Sequence, residues 1–131
     1  MNQNYKFTLV RLFEFPLESV FASLTTPKAL SKFTGKAAFE PKQGAAIQMF
    51  DGWVTGEILQ VELNKTFIFT WKVAEWESAS TVEYHFDGNN ESCKVTLHHY
   101  GFPNKKESDS HKLGWEEYVF TPLAEYLTAK H

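Results

Sequence analysis

The segment STVEYHFDGNNESCKVTLHHYG, residues 80–101, constrains the fold more than any other. It holds two alternating runs around a turn rich in Gly and Asn. Val82, Tyr84 and Phe86 fall on one face of the first run; Val95, Leu97 and His99 fall on one face of the second. Glu83, His85, Lys94, Thr96 and His98 occupy the other face. A two-residue period of this kind makes strands that are apolar on one side only, hence an antiparallel sheet with one dry face. The turn DGNNES is read as setting Tyr84 opposite Val95 and Val82 opposite Leu97. Such a face has to be covered, so the rest of the chain must supply a cover.

More strands precede this hairpin. In YKFTLVRLFEF, residues 5–15, Tyr5, Phe7, Leu9, Phe13 and Phe15 share a face that Arg11 interrupts. AAIQMF reads as a strand closed by Asp51-Gly52. WVTGEILQVEL and TFIFTWKVA read as a hairpin around Asn64-Lys65. A loop from Asn64 to Thr66 would pair Leu63 with Phe67, Val61 with Phe69 and Leu59 with Trp71. The apolar phase then shifts to Val54 and Ile58, which predicts a bulge near Leu59. Between the first strand and AAIQMF lie two short helical patterns, LESVFASL behind Pro16 and TTPKALSKF with Thr26 as cap and Pro27 at its first position. Gly35 ends the second.

Only one later segment is long enough to cover the sheet, a helix from about residue 108 to 129 containing HKLGWEEYVFTPLAEYL. It carries two residues that helices disfavour. Gly114 precedes Trp115, where a bare backbone is expected to approach the sheet. Pro122 removes a helical hydrogen bond and predicts a kink near residues 118–122. The expected fold is therefore α+β: a curved antiparallel sheet of about six strands gripping a long C-terminal helix, with two short helices after the first strand. Residues 1–131 form a single domain.

Composition narrows the function. The chain is 43% hydrophobic and 16% aromatic, which suits a thick core or the lining of an apolar cavity. Its net charge of −3 has both signs mixed, and no basic stripe follows a phosphate backbone, so nucleic acid is not an expected partner. A single cysteine, Cys93, excludes an internal disulfide and a multi-cysteine zinc site. MNQNYKF lacks a signal-peptide pattern and no apolar run has membrane length, so cytoplasmic location without membrane insertion is the expectation.

The segments FPLESVFASLTTPKALSKFT, GWVTGEILQVELNKTFIFTWKVAEW, CKVTLHHYGFP and LGWEEYVFTPLAEYL, in that order, resemble the helix-grip (START-like, Bet v 1-like) superfamily. Within it they resemble the family of the C-terminal domain of the activator of heat-shock protein 90 ATPase. The resemblance spans nearly the whole chain. It implies a long helix over a curved sheet, often with an apolar cavity between them. It also implies two functions: stimulation of a heat-shock protein 90-type chaperone, as in eukaryotic members, or a role of another kind in stand-alone bacterial relatives. Eukaryotic activators carry a further N-terminal domain that grips the chaperone, and these residues do not resemble it.

Candidate site residues follow from the predicted faces. Arg11, Trp71, Tyr84, Leu97, His99, Trp115, Tyr118 and Val119 are the expected lining of a cavity for a small apolar or amphipathic ligand. Arg11 is either an anchor for an acidic head group or half of a rim ion pair, with Glu57 as the named partner. His99 either contacts ligand or is satisfied by a backbone group or a Tyr hydroxyl. His98 and His99 point to opposite faces and cannot share a metal, so no metal or other cofactor is expected. Trp71 is assigned to the core. Trp76, at a strand end in VAEWES, is expected to be half exposed as a cavity mouth or protein contact. No nucleophile–base pattern stands out and no catalytic residue is assigned. Cys93 lies among apolar neighbours where thiols are inert. An enzyme using His99 with Tyr84 is the weakest alternative.

Overall fold

The computed structural model describes residues 5–130, and both strands of the alternating hairpin are interior strands of its sheet. Strands β6 (Ser80–Gly88) and β7 (Cys93–Tyr100) bury all six residues of the predicted apolar face. Their register differs from the expected one by two residues: Tyr84 faces Leu97, Val82 faces His99 and Phe86 faces Val95. An even slip keeps every side chain on its face, which is why alternation alone cannot detect it. The loop sets the true register. The Asn89 side-chain oxygen accepts from the backbone N–H groups of Glu91 and Ser92, closing the loop just beyond the Gly88–Cys93 pair. Gly88 is required there, since a Cβ would lie 2.2 Å from the Ser92 carbonyl oxygen.

The other hairpin repeats this outcome. In β4 (Val54–Glu62) and β5 (Thr66–Val73), Glu62 faces Thr66 and Val61 faces Phe67, so the loop is Leu63–Lys65 rather than Asn64–Thr66. Asn64 takes the left-handed conformation, φ 61°, that its side chain tolerates better than most. The expected bulge is present between Ile58 and Gln60, and it turns Leu59 outward. Strands β1 (Lys6–Phe13), β2 (Ala38–Phe39) and β3 (Ala46–Met49) complete an antiparallel sheet of order β1-β7-β6-β5-β4-β3-β2. The sheet has seven strands where about six are expected; the two-residue β2 is too short for periodicity to reveal.

Helices α1 (Leu17–Thr25) and α2 (Pro27–Leu30) bury Val20, Phe21, Leu24 and Leu30. Pro16 is the cap of α1 rather than its first residue. The C-terminal cover consists of α3 (Lys105–Trp115), a π-helical turn (Glu116–Phe120) and α4 (Thr121–Lys130). It begins three residues before the expected start, because the Asn104 side chain accepts the Glu107 N–H at 2.9 Å. Asn104 and Glu107 form an N-x-x-E start signal that reading from the apolar stripe alone passes over.

The π turn has a packing consequence. Ser108, His111 and Trp115 form the buried stripe of α3; Val119 and Phe120 are buried on the π turn, and Leu123 and Leu127 on α4. Phe120 lies five positions past Trp115, one more than the usual four, and is buried beside Val119. The wider turn absorbs the extra residue, with the Thr121 N–H bonded to the Glu116 carbonyl, and both stripes face the sheet. What interrupts the regular ladder is this widened turn at residues 116–120; Pro122 lies just past it, as the second residue of α4. Each fully buried Leu or Phe in this interface contributes roughly 2 kcal/mol.

Candidate functional site

Between the middle of α3 and the end of the sheet lies a cavity of about 400 Å³. Phe50, Trp53 and Trp71 line it from the sheet side; Ser110, His111, Gly114, Trp115, Tyr118 and Val119 line it from the helix. The sheet-side wall depends on an unusual backbone. Phe50 and Asp51 both have positive φ, 52° and 59°, in the short 3-10 turn Phe50–Gly52 after β3. A bulky residue such as Phe rarely adopts this conformation, and strain of this kind concentrates at functional sites. The turn is held from outside: the Asp51 N–H donates to the Lys36 carbonyl at 3.0 Å, and the Lys36 N–H donates to the Asp51 carboxylate at 3.2 Å. Its effect is to set the Phe50 ring edge-on to Trp53 and Trp71.

Behind the wall, two indoles are each bonded to a histidine. The Trp71 Nε1–H donates to His111 Nε2 at 3.1 Å, and His111 Nδ1 lies 2.9 Å from the Glu107 carbonyl oxygen. A carbonyl only accepts, so His111 carries its proton on Nδ1. The Trp115 Nε1–H donates to His99 Nδ1 at 3.0 Å. His99 Nε2–H then donates to Ser80 Oγ, and Ser80 donates to the Trp71 carbonyl, each at 2.8 Å. The indoles of Trp71 and Trp115 lie 5.1 Å apart between centroids. Both imidazoles are neutral: burial holds His99 well below its ordinary pKa, reinforced by His111 nearby, and burial also lowers His111, which the Glu107 carbonyl and carboxylate partly offset. Among the described residues, no buried side-chain nitrogen or oxygen lacks a hydrogen-bond partner.

The eight expected lining residues divide evenly. Trp71, Trp115, Tyr118 and Val119 line the cavity. Tyr84 and Leu97 do not; they lie deeper, in the closed core. Burial there pushes the Tyr84 phenol far up. His99 is fully buried and its two nitrogens are occupied by Trp115 and Ser80, so it does not reach the cavity. It is a satisfied core histidine, although its partners are an indole and a serine rather than a backbone group or tyrosine. The paired enzyme reading therefore loses its geometry, since neither His99 nor Tyr84 lines the cavity.

Arg11 also stands apart. It pairs with Glu116 of the π turn, not with Glu57, and its guanidinium lies 5.5 Å from the centroid of the Phe13 ring. Both partners of the pair are partly exposed, so it is worth at most about 1 kcal/mol. Trp76 is buried rather than half exposed, packed edge-on against Phe102 and beside His111. Trp53 is the half-exposed tryptophan at the mouth, stacked on His111 with ring centroids 6.1 Å apart.

The lining residues that sequence reading missed are Phe50, Trp53, Ser110 and His111. His111 had a signal, since it precedes Trp115 by four residues and must share its helix face. Phe50 had none, because its placement depends on backbone conformation. Gly114 also differs from expectation. A Cβ there would meet only the Tyr118 ring, at 3.7 Å, so no close approach to the sheet requires the glycine. What it does is leave the cavity wall low. Cys93 is buried and its thiol pKa is pushed up to about 11, mainly by burial, consistent with an inert group. No group of three or more metal-ligating side chains comes together among the described residues.

An open sheet wrapped on a long C-terminal helix, with an apolar cavity between them, defines a helix-grip domain. Residues 14–128 match the family described as Activator of Hsp90 ATPase homolog 1-like protein, and the chain belongs to that family. Among curated proteins, the mouse activator of 90 kDa heat shock protein ATPase homolog 2 is 30% identical over 118 residues, covering 88% of this chain and 35% of that protein. The chain thus spans about a third of the curated relatives it matches. Among solved structures, an Hsp90 activator from Plasmodium falciparum superposes with a TM-score of 0.86 at 22% identity, covering 94% of this chain and 96% of that one. A protein from Mesorhizobium loti gives a TM-score of 0.86 at 24% identity, covering 96% and 98%. At these identities the structural likeness establishes the fold alone. No helix among the described residues is long and apolar enough to cross a membrane.

Proposed function

We propose that this domain binds a small apolar or amphipathic molecule in the cavity between α3 and the sheet. The observation that carries this reading is the cavity itself: about 400 Å³ between sheet and helix, walled mainly by aromatic rings. Cavities of this size and lining fall in the range of small-molecule sites. The strained turn at Phe50–Asp51 supports it, since a sheet end needing only to be plugged would not require two left-handed residues.

A binder is stabilised by its ligand, so the melting temperature should rise with ligand concentration across an apolar library. Native mass spectrometry of protein taken from its own cells should show a bound small molecule. Absence of both signals rejects the proposal.

A second reading has a specific observation behind it: the curated relatives are named as activators of the 90 kDa heat shock protein ATPase. Under that reading the domain raises the chaperone's ATP turnover through its surface. Filling the cavity would leave that stimulation unchanged, whereas it would abolish ligand-dependent stabilisation.

A further inference from the structure

The polar groups around the cavity indicate what kind of molecule it takes. Both deep indole N–H groups are occupied, Trp71 by His111 and Trp115 by His99. Both His111 nitrogens are engaged, and the Ser110 hydroxyl donates to the Glu107 carbonyl. Among the described residues, no Lys or Arg lines the cavity. Arg11, the residue best suited to a carboxylate, is tied to Glu116. Among the described residues, no hydrogen bond occupies the Trp53 indole N–H or the Tyr118 hydroxyl, and both belong to half-exposed rings that also line the cavity.

The walls are flat as well as apolar. Phe50, Trp53, Trp71, Trp115 and Tyr118 present rings, and Gly114 presents no side chain at all. A flexible alkyl chain can fill such a space but gains nothing from its planes. A flat aromatic ring gains offset or edge-to-face contact on several sides. A carboxylate carried inside would lose its water and find no counter-charge.

We infer that the cavity is selective for a neutral, flat aromatic molecule, bicyclic or tricyclic, with a single hydroxyl or carbonyl group at its edge. This rests on the proposed ligand-binding reading. The ring system enters past Gly114 and lies among Trp53, Trp71 and Trp115, while the edge oxygen remains at the mouth within reach of Tyr118 and Trp53. The inference excludes fatty acids, which pair a flexible chain with an anionic head.

Four probes separate shape from charge: 2-naphthol (flat, neutral), 2-naphthoate (flat, anionic), 1-decanol (flexible, neutral) and decanoate (flexible, anionic). Each is titrated into the full chain by calorimetry at pH 7.5, and proton NMR follows the Trp53 and Tyr118 signals for ring-current shifts. The expected result is one-to-one binding of 2-naphthol at least tenfold tighter than each other probe, with both signals shifted. In Gly114→Leu, shown to be folded by circular dichroism, that binding should disappear. If decanol or decanoate binds as tightly as 2-naphthol and is lost in Gly114→Leu, the selectivity inference is wrong while the cavity still binds ligands. If no probe binds, or binding persists in Gly114→Leu without shifts at Trp53 and Tyr118, the inference and the cavity reading both fail. Should Gly114→Leu not fold, the NMR shifts in the unaltered chain make the same decision.

Discussion

The domain contains the same chemical unit twice, an indole N–H donating to a neutral imidazole, and the two copies differ in where they sit. In Trp115–His99 the imidazole is sealed, although the Trp115 ring lines the cavity: His99 is fully buried, its second nitrogen bonded to Ser80, with Phe102 4.2 Å away between ring centroids. Trp71–His111 stands in the cavity wall, with Trp53 stacked across it and the Glu107 carboxylate 4.0 Å from Nδ1. Identical hydrogen bonds therefore have different jobs. Both pairs tie helix to sheet, but only in the second does the imidazole itself form part of the surface that a ligand would touch. A buried polar pair becomes a site feature only where empty space adjoins it.

The largest effect should come from deleting each imidazole in turn. His99→Ala leaves a void and strands two partners, the Trp115 N–H and Ser80, in a closed core; the expected cost is about 4 kcal/mol. His111→Ala opens into existing space, where water can reach the Trp71 N–H, and should cost only about 1–2 kcal/mol. Urea midpoints of the two variants, with unchanged slopes, measure this directly. Equal losses would mean that the cavity does not relieve its wall, and the contrast between the pairs would collapse.

Acid should reveal the pairs next. Both histidines have folded-state pKa values below the unfolded value of 6.5. Between those values the unfolded chain binds protons that the folded chain refuses, so stability rises with pH there. The contribution is fully present above about pH 6.5 and is lost as pH falls below it. Protonation would set a new N–H against an indole N–H in each pair, which is the structural reason for the refusal. Denaturation curves from pH 8 to 5 should therefore be level at first and then fall. Gln at position 111 does not titrate, so His111→Gln should remove part of the slope, and the His99 part should remain. A slope unaltered by His111→Gln would leave the wall histidine outside the linkage.

Much of this molecule was legible in the sequence, and the parts that were not share a cause. Alternation identifies which side chains face inward, so Val82, Tyr84, Phe86, Val95 and Leu97 were all placed on the correct face. It says nothing about even register slips, so in both hairpins the loop, at Asn89 or Asn64, sets a pairing two residues away from the one alternation suggests. The same limit applies to the site. A shared face was read as a shared cavity, which put Tyr84, Leu97 and His99 at the ligand. Whether a residue on an inner face meets space or another side chain depends on the depth of the covering helix, and no periodicity encodes that. Phe50 shows the other gap, because a left-handed phenylalanine has no sequence signature.

The smallest expected effect concerns Gly114, and it tests the cavity from the wall itself. Glycine costs roughly 1 kcal/mol against alanine inside a helix, so its presence in α3 calls for a reason. Crowding is not one, because an added Cβ would make only ordinary contact with Tyr118 at 3.7 Å. Gly114→Ala should therefore stabilise the protein by about 0.5–1 kcal/mol and raise its melting temperature by a few degrees. The methyl group would project at the mouth between Ser110 and Tyr118, so any ligand should bind more weakly even as the fold gains. Stability and binding would then move in opposite directions at one residue, which a purely structural glycine cannot produce. Destabilisation in Gly114→Ala would show instead that the bare backbone is needed for packing, and the open wall would lose its explanation.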